Sequence, residues 1–329
     1  ETYLSSRKQI VKVNNIESGY LNVTAGVPQG SILGPFLFLI YVNDFSVNVP
    51  CLSILYADDT TMISKGYDVP DVTLQLKTSL ESAKNWFSAN KLLINEDKTE
   101  NIIFTLRSQI NKEDECLLKP VKLLGFYLDS KLSWHVHVDN ICKKLARVTY
   151  LLRKLKFCVS LDTLVLTYYG LFHSHLCYGI RLWGNSGAAK RVFVWQKKAI
   201  RTIAGLPTQA SCRNSFAGLH ILTLACIYIF QNVVHVKENL NMFETHSNIH
   251  GHDTRSKDNL ITPNVRLDKS YKSHYYQQLK LYNKLPTTLK NLPVSRFKPT
   301  LCDWLKKKEF YTIEEYLACD DFEGINVNS

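Results

Sequence analysis

Apolar positions repeat along this chain with a period of two at first and a helical period later. In residues 9–24, Val11 and Val13 flank Lys12, and the run from Tyr20 to Val23 follows Ser18 and Gly19. This predicts two strands around a turn at Ser18 and Gly19. Residues 26–30 form a stiff loop with Gly26, Pro28 and Gly30, and Ser31 is a candidate N-cap for the helix that carries residues 36–45. That helix is apolar on most sides, which predicts burial. Residues 51–55 and 60–64 are rich in β-branched and large apolar side chains and read as a hairpin around Tyr56, Ala57, Asp58 and Asp59. Residues 71–90 place Val72, Leu76, Leu80, Ala83 and Phe87 on one helical face. Strands are expected at 92–94 and 101–104 around a loop at 95–99, and at 121–128 with a break at Gly125.

After Trp134 the pattern turns helical, with helices expected at 136–156, 161–182, 189–204, 214–237, 268–284 and 295–309. Residues 109–115 are polar and without a motif, and 245–269, with His246, His250 and His252, read as a polar loop or linker. The pattern predicts an α+β chain: residues 1–130 with an antiparallel sheet and helices, 131–213 helical and basic, and 214–329 helical.

Composition adds charge to this picture. The net charge is +11 over 329 residues, and residues 131–213 hold fourteen Lys and Arg against two acids, Asp139 and Asp162. A local excess of this size points to a polyanionic partner. Nine cysteines lack a Cys-x-x-Cys pair, which fits reduced thiols and an intracellular setting, nucleus or cytoplasm. The longest apolar stretches, 32–42 and 221–236, are short for a membrane span.

Adjacent acids at a strand-turn-strand tip repel each other unless a cation bridges them. Mg²⁺ suits one or two carboxylates plus substrate phosphates, whereas a solvated turn with two acids is also common. The residues alone leave both readings open. The order of the motifs adds more. The loop Gly26-Val-Pro-Gln-Gly-Ser31 precedes an apolar run ending at Asn43 and Asp44. The Tyr56-Ala-Asp-Asp59 hairpin follows, then Asn95-Glu-Asp-Lys-Thr99, then Leu123-Leu-Gly-Phe-Tyr-Leu128. In this order and spacing the segments resemble the palm of reverse transcriptases from non-LTR retrotransposons, the jockey-like mobile elements in particular. Trp134, the run 196–201 and Leu285-Pro286 extend the resemblance over nearly the whole chain.

The resemblance implies an RNA-directed DNA polymerase that extends a DNA 3′ end on an RNA template. Its fold would be a partial palm in 1–130, a thumb-like domain in 131–213 and a helical C-terminal region in 214–329. Asp58 and Asp59 would be two of three catalytic carboxylates holding two Mg²⁺ ions, which Mn²⁺ could replace. Tyr56 and Ala57 would lie beneath the primer end, with Ala57 keeping the turn small and Tyr56 packing. Gly26, Pro28, Gln29, Gly30 and Ser31 would contact the templating base and the incoming deoxynucleoside triphosphate. Ser31 alone could instead explain the loop as a helix cap. Lys98 is a candidate general acid for the leaving pyrophosphate, or else a solvated lysine. Leu124 and Gly125 match the primer grip, where a bulge would explain the glycine as well. Asp44 reads as a helix-end residue. The third carboxylate and the fingers lie upstream in the family. The only acids of residues 1–25 are Glu1 and Glu17, neither in that context, and the first residue is not Met. An N-terminally truncated chain, with little polymerase activity alone, is therefore expected.

Lys143, Lys144, Arg147, Arg153, Lys154 and Lys156 form one basic cluster, and Lys197, Lys198 and Arg201 a second. Both suit the phosphates of a template–primer duplex, though either alone is an ordinary solvated face. His173, His175 and Cys177, and His246, His250 and His252, lack a standard zinc-ligand set and read as core or surface groups. Trp183 and Trp195 read as core aromatics. Two rival readings remain: a non-catalytic basic nucleic-acid-binding protein from a decayed retroelement, and a helical protein–protein module at 214–329.

Overall fold

A computed structural model of the chain describes residues 4–24, 26–106, 117–246 and 259–322. It divides into two units, Glu1–Thr99 and Glu100–Ser329. The chain is α+β: helices dominate, and the described strands form four two-stranded antiparallel ladders.

The first unit opens with one long hairpin of four short strands, β1 (Arg7–Gln9), β2 (Lys12–Val13), β3 (Ile16–Glu17) and β4 (Leu21–Val23). β1 pairs with β4, and β2 with β3. The turn lies at Asn14 and Asn15, both at positive φ (48° and 66°), and not at Ser18 and Gly19 as expected. Two consecutive positive φ angles match the right-handed twist of a hairpin, and Asn tolerates them. The register changes by one residue between Lys12↔Glu17 and Gln9↔Leu21, so Ser18 and Gly19 flank a bulge.

Next come α1 (Leu33–Tyr41), α2 (Phe45–Asn48), the hairpin β5 (Leu52–Tyr56) and β6 (Asp59–Ile63), and α3 (Val69–Ala89). Their core is small: Val42, Phe45, Val49, Ala83 and Trp86, with Phe38, Cys51, Leu55, Met62, Phe87 and Leu92 against it. The Phe45 ring meets Trp86 edge-on at 5.2 Å. Burying such a ring stabilises by roughly 2–3 kcal/mol. α3 uses the expected face, extended by Ser79 and Trp86. The expected burial of α1 does not hold. Only its Gly34, Phe38 and Val42 edge is covered, while Leu33, Phe36, Leu39 and Ile40 are exposed. The packing partners within the unit reach one side of this helix only. Asp44 begins α2, and the Asn48 side chain donates to its backbone and carboxylate oxygens (2.8 and 3.2 Å). Residues 92–94 are not a strand. A 3₁₀ turn at Glu96–Lys98 takes over, because the Asn95 side chain accepts from the Lys98 N–H (3.2 Å).

In the second unit residues 101–104 form no ladder either; the Ile103 N–H donates to Leu117 O (3.0 Å) as a separate bond. The strand expected at 121–128 is a tight hairpin, β7 (Val121–Leu123) and β8 (Phe126–Leu128), turning at Leu124 and Gly125. Helices follow: α4 (His135–Leu155), α5 (Leu161–Thr167), a π-helical turn (Tyr168–His173), α6 (Ser174–Cys177), α7 (Ile180–Trp183), α8 (Ala189–Ala204), α9 (Arg213–Gly218) and α10 (Leu224–Glu238). Then come α11 (Asp268–Tyr271), α12 (His274–Asn283), α13 (Thr287–Lys290), α14 (Val294–Lys308) and α15 (Ile313–Ala318). The span expected as one helix at 161–182 is interrupted at Tyr178 and Gly179, and that at 214–237 at 219–223, where Thr223 caps α10 through the Cys226 N–H (3.2 Å). Here the core is large. α4 packs on α8, and α10 is covered by α12 and α14. Trp183, Trp304, Tyr168, Phe172, Phe216 and Phe297 are fully enclosed. Residues 109–115, His250 and His252 lie outside the described residues. Among the described residues, no helix is long and apolar enough to cross a membrane.

Candidate functional site

The acidic hairpin of the first unit pairs Tyr56 with Asp59 and Leu55 with Thr60, so Ala57 and Asp58 are the two turn residues. Ala57 has φ 53°, a left-handed value that costs a non-glycine residue about 1–2 kcal/mol. Strand alternation then sorts the side chains. Ser53 and Leu55 face inward, with Leu55 on the small core and Ser53 Oγ donating to Ser46 Oγ (3.0 Å). Leu52, Ile54 and Tyr56 face outward, and Tyr56 is 65% exposed instead of packed. Asp59 stands opposite Tyr56, and Asp58 occupies the apex. Both carboxylates are exposed, and no lysine, arginine or histidine among the described residues forms an ion pair with either. Two uncompensated acids side by side suit a divalent ion that also binds a phosphate. Among the described residues no group of three His, Cys, Asp or Glu could hold a metal, and Asp58 and Asp59 amount to at most two ligands of such a set.

Gly26 and Gly30 of the preceding loop sit at φ 77° and 79°. Only glycine adopts these angles freely, and they fold the loop onto the first turn of α1. The Ser31 N–H donates to Pro28 O (3.2 Å), and Ser31 Oγ accepts from the Gly34 N–H (3.1 Å). Ser31 thus binds the first turn of the helix, although the N-cap position itself is taken by Ile32 and not by Ser31 as expected. A Cβ at Gly34 would lie 2.9 Å from Ser31 Oγ and 3.3 Å from Val27 Cγ2, so the loop is seated closely on the helix. Gln29 is exposed. Lys98, also exposed, ends the 3₁₀ turn. Its neighbour Glu96 pairs with Lys84 (2.6 Å), and that hydrogen bond and charge hold the Glu96 carboxyl below its ordinary range.

In the second unit, Leu124 and Gly125 have φ 46° and 84°, which makes them a hairpin turn rather than a bulge in one strand. Tyr178 fixes it: its hydroxyl donates to Leu124 O (2.5 Å) and its ring stacks on Phe126 at 4.8 Å. The connection into α4 is organised by Asp129, a residue the sequence reading passed over. Its carboxylate accepts from the N–H groups of Lys131, Ser133 and Trp134 (2.9–3.1 Å) and from the Ser133 hydroxyl (3.1 Å). Burial raises the Asp129 pKa, but these hydrogen bonds outweigh it, and the net shift is downward. They also hold Trp134 at φ 66°, at the start of the helix.

The basic residues divide into two kinds. Lys143, Lys144, Arg147, Arg153 and Lys154 are exposed on α4, and Lys198 on α8 lies 4.2 Å over the Trp195 ring. Lys156 reaches the C-terminal end of α8 beside Gly205, where a cation complements the helix dipole. Lys197 lies over Phe193 and Tyr311, and Arg201 Nε donates to Ala210 O (2.7 Å). These last three stabilise the helical unit whether or not a ligand is present. Cys177 Sγ lies 3.1 Å from His173 Nε2, one turn apart, and burial lowers the pKa of both His173 and His175. Trp183 is a core residue, its Nε1 donating to Tyr178 O (3.0 Å), and Trp195 is partly buried.

Residues 1–128 match the reverse transcriptase (RNA-dependent DNA polymerase) family. Among curated proteins, the chain is similar to the RNA-directed DNA polymerase from mobile element jockey of Drosophila melanogaster. The two are 28% identical over 234 residues, covering 65% of this chain and 25% of that protein. The probable RNA-directed DNA polymerases from transposon X-element and transposon BS of the same organism are 29% and 28% identical. Those alignments cover 62% and 63% of this chain and 24% and 25% of the relatives. The chain thus spans about a quarter of the length of these relatives, and the alignments reach less of it than the motifs suggested. No solved structure matches.

Proposed function

We propose, on the premise that residues 1–128 belong to the reverse transcriptase family, that this chain is part of an RNA-directed DNA polymerase of the non-LTR retrotransposon kind. The observation that carries this reading is the exposed pair of Asp58, at the apex of a two-residue hairpin turn, and Asp59, the first residue of the following strand, inside the matched segment. Divalent ions, when bound, activate a primer 3′-hydroxyl and neutralise a leaving pyrophosphate. Asp58 and Asp59 supply carboxylate oxygens for Mg²⁺ or Mn²⁺. Tyr56 presents an exposed ring next to Asp59 for the primer end, and Ala57 leaves the apex free of bulk. The 26–31 loop offers Gln29 to the templating base and incoming deoxynucleoside triphosphate, with Ser31, Pro28 and the two glycines fixing its shape. Lys98 is an exposed ammonium suited to a departing phosphate. The Leu124–Gly125 turn serves as a backbone rest for the primer strand. The exposed cations of α4 and α8 hold the phosphates of RNA template and DNA primer.

Two measurements test this reading. Mn²⁺ titration followed by electron paramagnetic resonance should show binding in the millimolar range that Asp58→Asn plus Asp59→Asn abolishes. Any primer extension on an RNA template with Mg²⁺ should vanish in Asp58→Asn. Unchanged Mn²⁺ binding in the double variant, or extension that survives it, overturns the proposal.

A further inference from the structure

Five exposed residues of α4 and the turn after it fall in steps of four, three, four and three: Lys143, Arg147, Tyr150, Lys154 and Phe157. That spacing keeps them on one stripe. The opposite face buries Val138, Ile141, Leu145, Thr149 and Leu152. The stripe therefore points away from the core. Its aromatics are open to solvent, Tyr150 at 62% and Phe157 at 85% exposure. Lys154 Nζ lies 5.6 Å from the Tyr150 ring centroid, so cation and ring are neighbours along the row. No acid interrupts it: Asp139, the one acid of α4, forms an ion pair with Arg191 (2.5 Å).

A solvated basic face would be expected to carry polar or charged side chains between its cations. Two large exposed rings interleaved with three cations suit a ligand that offers negative charge and flat apolar faces in alternation. A single-stranded nucleic acid does so, since its phosphates and unpaired bases are both accessible. A duplex presents its phosphates and hides the faces of its bases. Tyr150 and Phe157 are seven residues apart, roughly 10 Å along the axis, or about three base steps at 3.4 Å.

We propose that the α4 stripe binds single-stranded nucleic acid, with Tyr150 and Phe157 stacking on unpaired bases and Lys143, Arg147 and Lys154 holding the flanking phosphates. The proposal deepens the polymerase reading and rests on it only for nucleic acid as the natural polyanion. Fluorescence anisotropy with the whole chain in EDTA tests it apart from metal binding and catalysis. The probes are a 20-nucleotide oligouridylate, a strand of the same length made of abasic sites, and a 20-base-pair duplex.

The intact strand should bind at least 10-fold more tightly than the abasic one. Tyr150→Ala plus Phe157→Ala should weaken intact-strand binding by about 10- to 100-fold and leave its salt dependence unchanged. Lys143→Gln, Arg147→Gln and Lys154→Gln together should lower the slope of log K against log salt by about 2. Tyr150→Leu plus Phe157→Leu keeps apolar bulk at both sites and should still lose the preference for bases. Equal affinity for intact and abasic strands, or no loss in either aromatic double variant, overturns the proposal. Binding confined to the duplex overturns it as well while leaving the polymerase reading intact.

Discussion

His137 shows how a buried side chain contributes to the acid response of the helical unit. It lies among the rings of Phe126, Trp134 and Trp183 and accepts the Tyr127 N–H at Nδ1 (3.4 Å). Burial, with a smaller contribution from the Lys144 charge, pushes its pKa down to about 4. An unfolded histidine titrates near 6.5. Between about pH 6.5 and 4 the unfolded chain therefore takes up a proton that the native state refuses. Stability is full above that window and falls through it, by at most on the order of 3 kcal/mol from this residue. Urea unfolding at pH 7 and at pH 4.5 should show a midpoint that drops on acidification, and His137→Phe should make the drop smaller. A midpoint independent of pH would contradict the buried neutral ring. None of this is legible in the sequence, where His137 is one polar residue on a helix; Trp134 is local, but Phe126 and Trp183 come from two other stretches of chain.

At the scale of elements, periodicity carried far where a segment is long or its turn short. α3 has the expected face because 21 residues repeat the same period. The β5–β6 hairpin is legible because two runs of β-branched and large apolar residues flank Tyr56 to Asp59, although pairing continues through Tyr56 and Asp59 and leaves only Ala57 and Asp58 for the turn. The first hairpin misled because Ser18 and Gly19 make a strong local turn signal, while the register favours Asn14 and Asn15. α1 misled for another reason: its composition says apolar, but burial depends on what packs against it. The entry to α4 shows the same dependence on three-dimensional contacts, since one carboxylate gathers four donors. Asp129→Ala would leave those donors unpaired and Trp134 held at positive φ without support. It should destabilise the second unit by about 2–3 kcal/mol, read as a lower urea midpoint with unchanged slope. A loss under 0.5 kcal/mol would show that the connection is held by other means.

At the scale of the molecule, the two units differ in what sequence reasoning captured. The first carries the 26–31 loop, the acidic hairpin and Lys98 of the candidate site and, among the described residues, a core of five buried apolar side chains. The second carries the exposed basic residues on a large helical core. The charge count over residues 131–213 located the cations but could not sort them. Lys156, Lys197 and Arg201 turn out to serve Gly205, Tyr311 and Ala210, contacts that no local pattern reveals. A polymerase role requires Asp58 and Asp59 to gather a divalent ion at the hairpin tip. Iron-directed cleavage tests this most directly: Fe²⁺ with ascorbate and peroxide cuts a chain beside the place where the ion sits. Fragments should end near residues 56–60, fade when Mg²⁺ is added in excess, and be absent from the Asp58→Asn, Asp59→Asn chain. Cleavage elsewhere with none at this hairpin, or cuts there that excess Mg²⁺ does not suppress, would contradict the account.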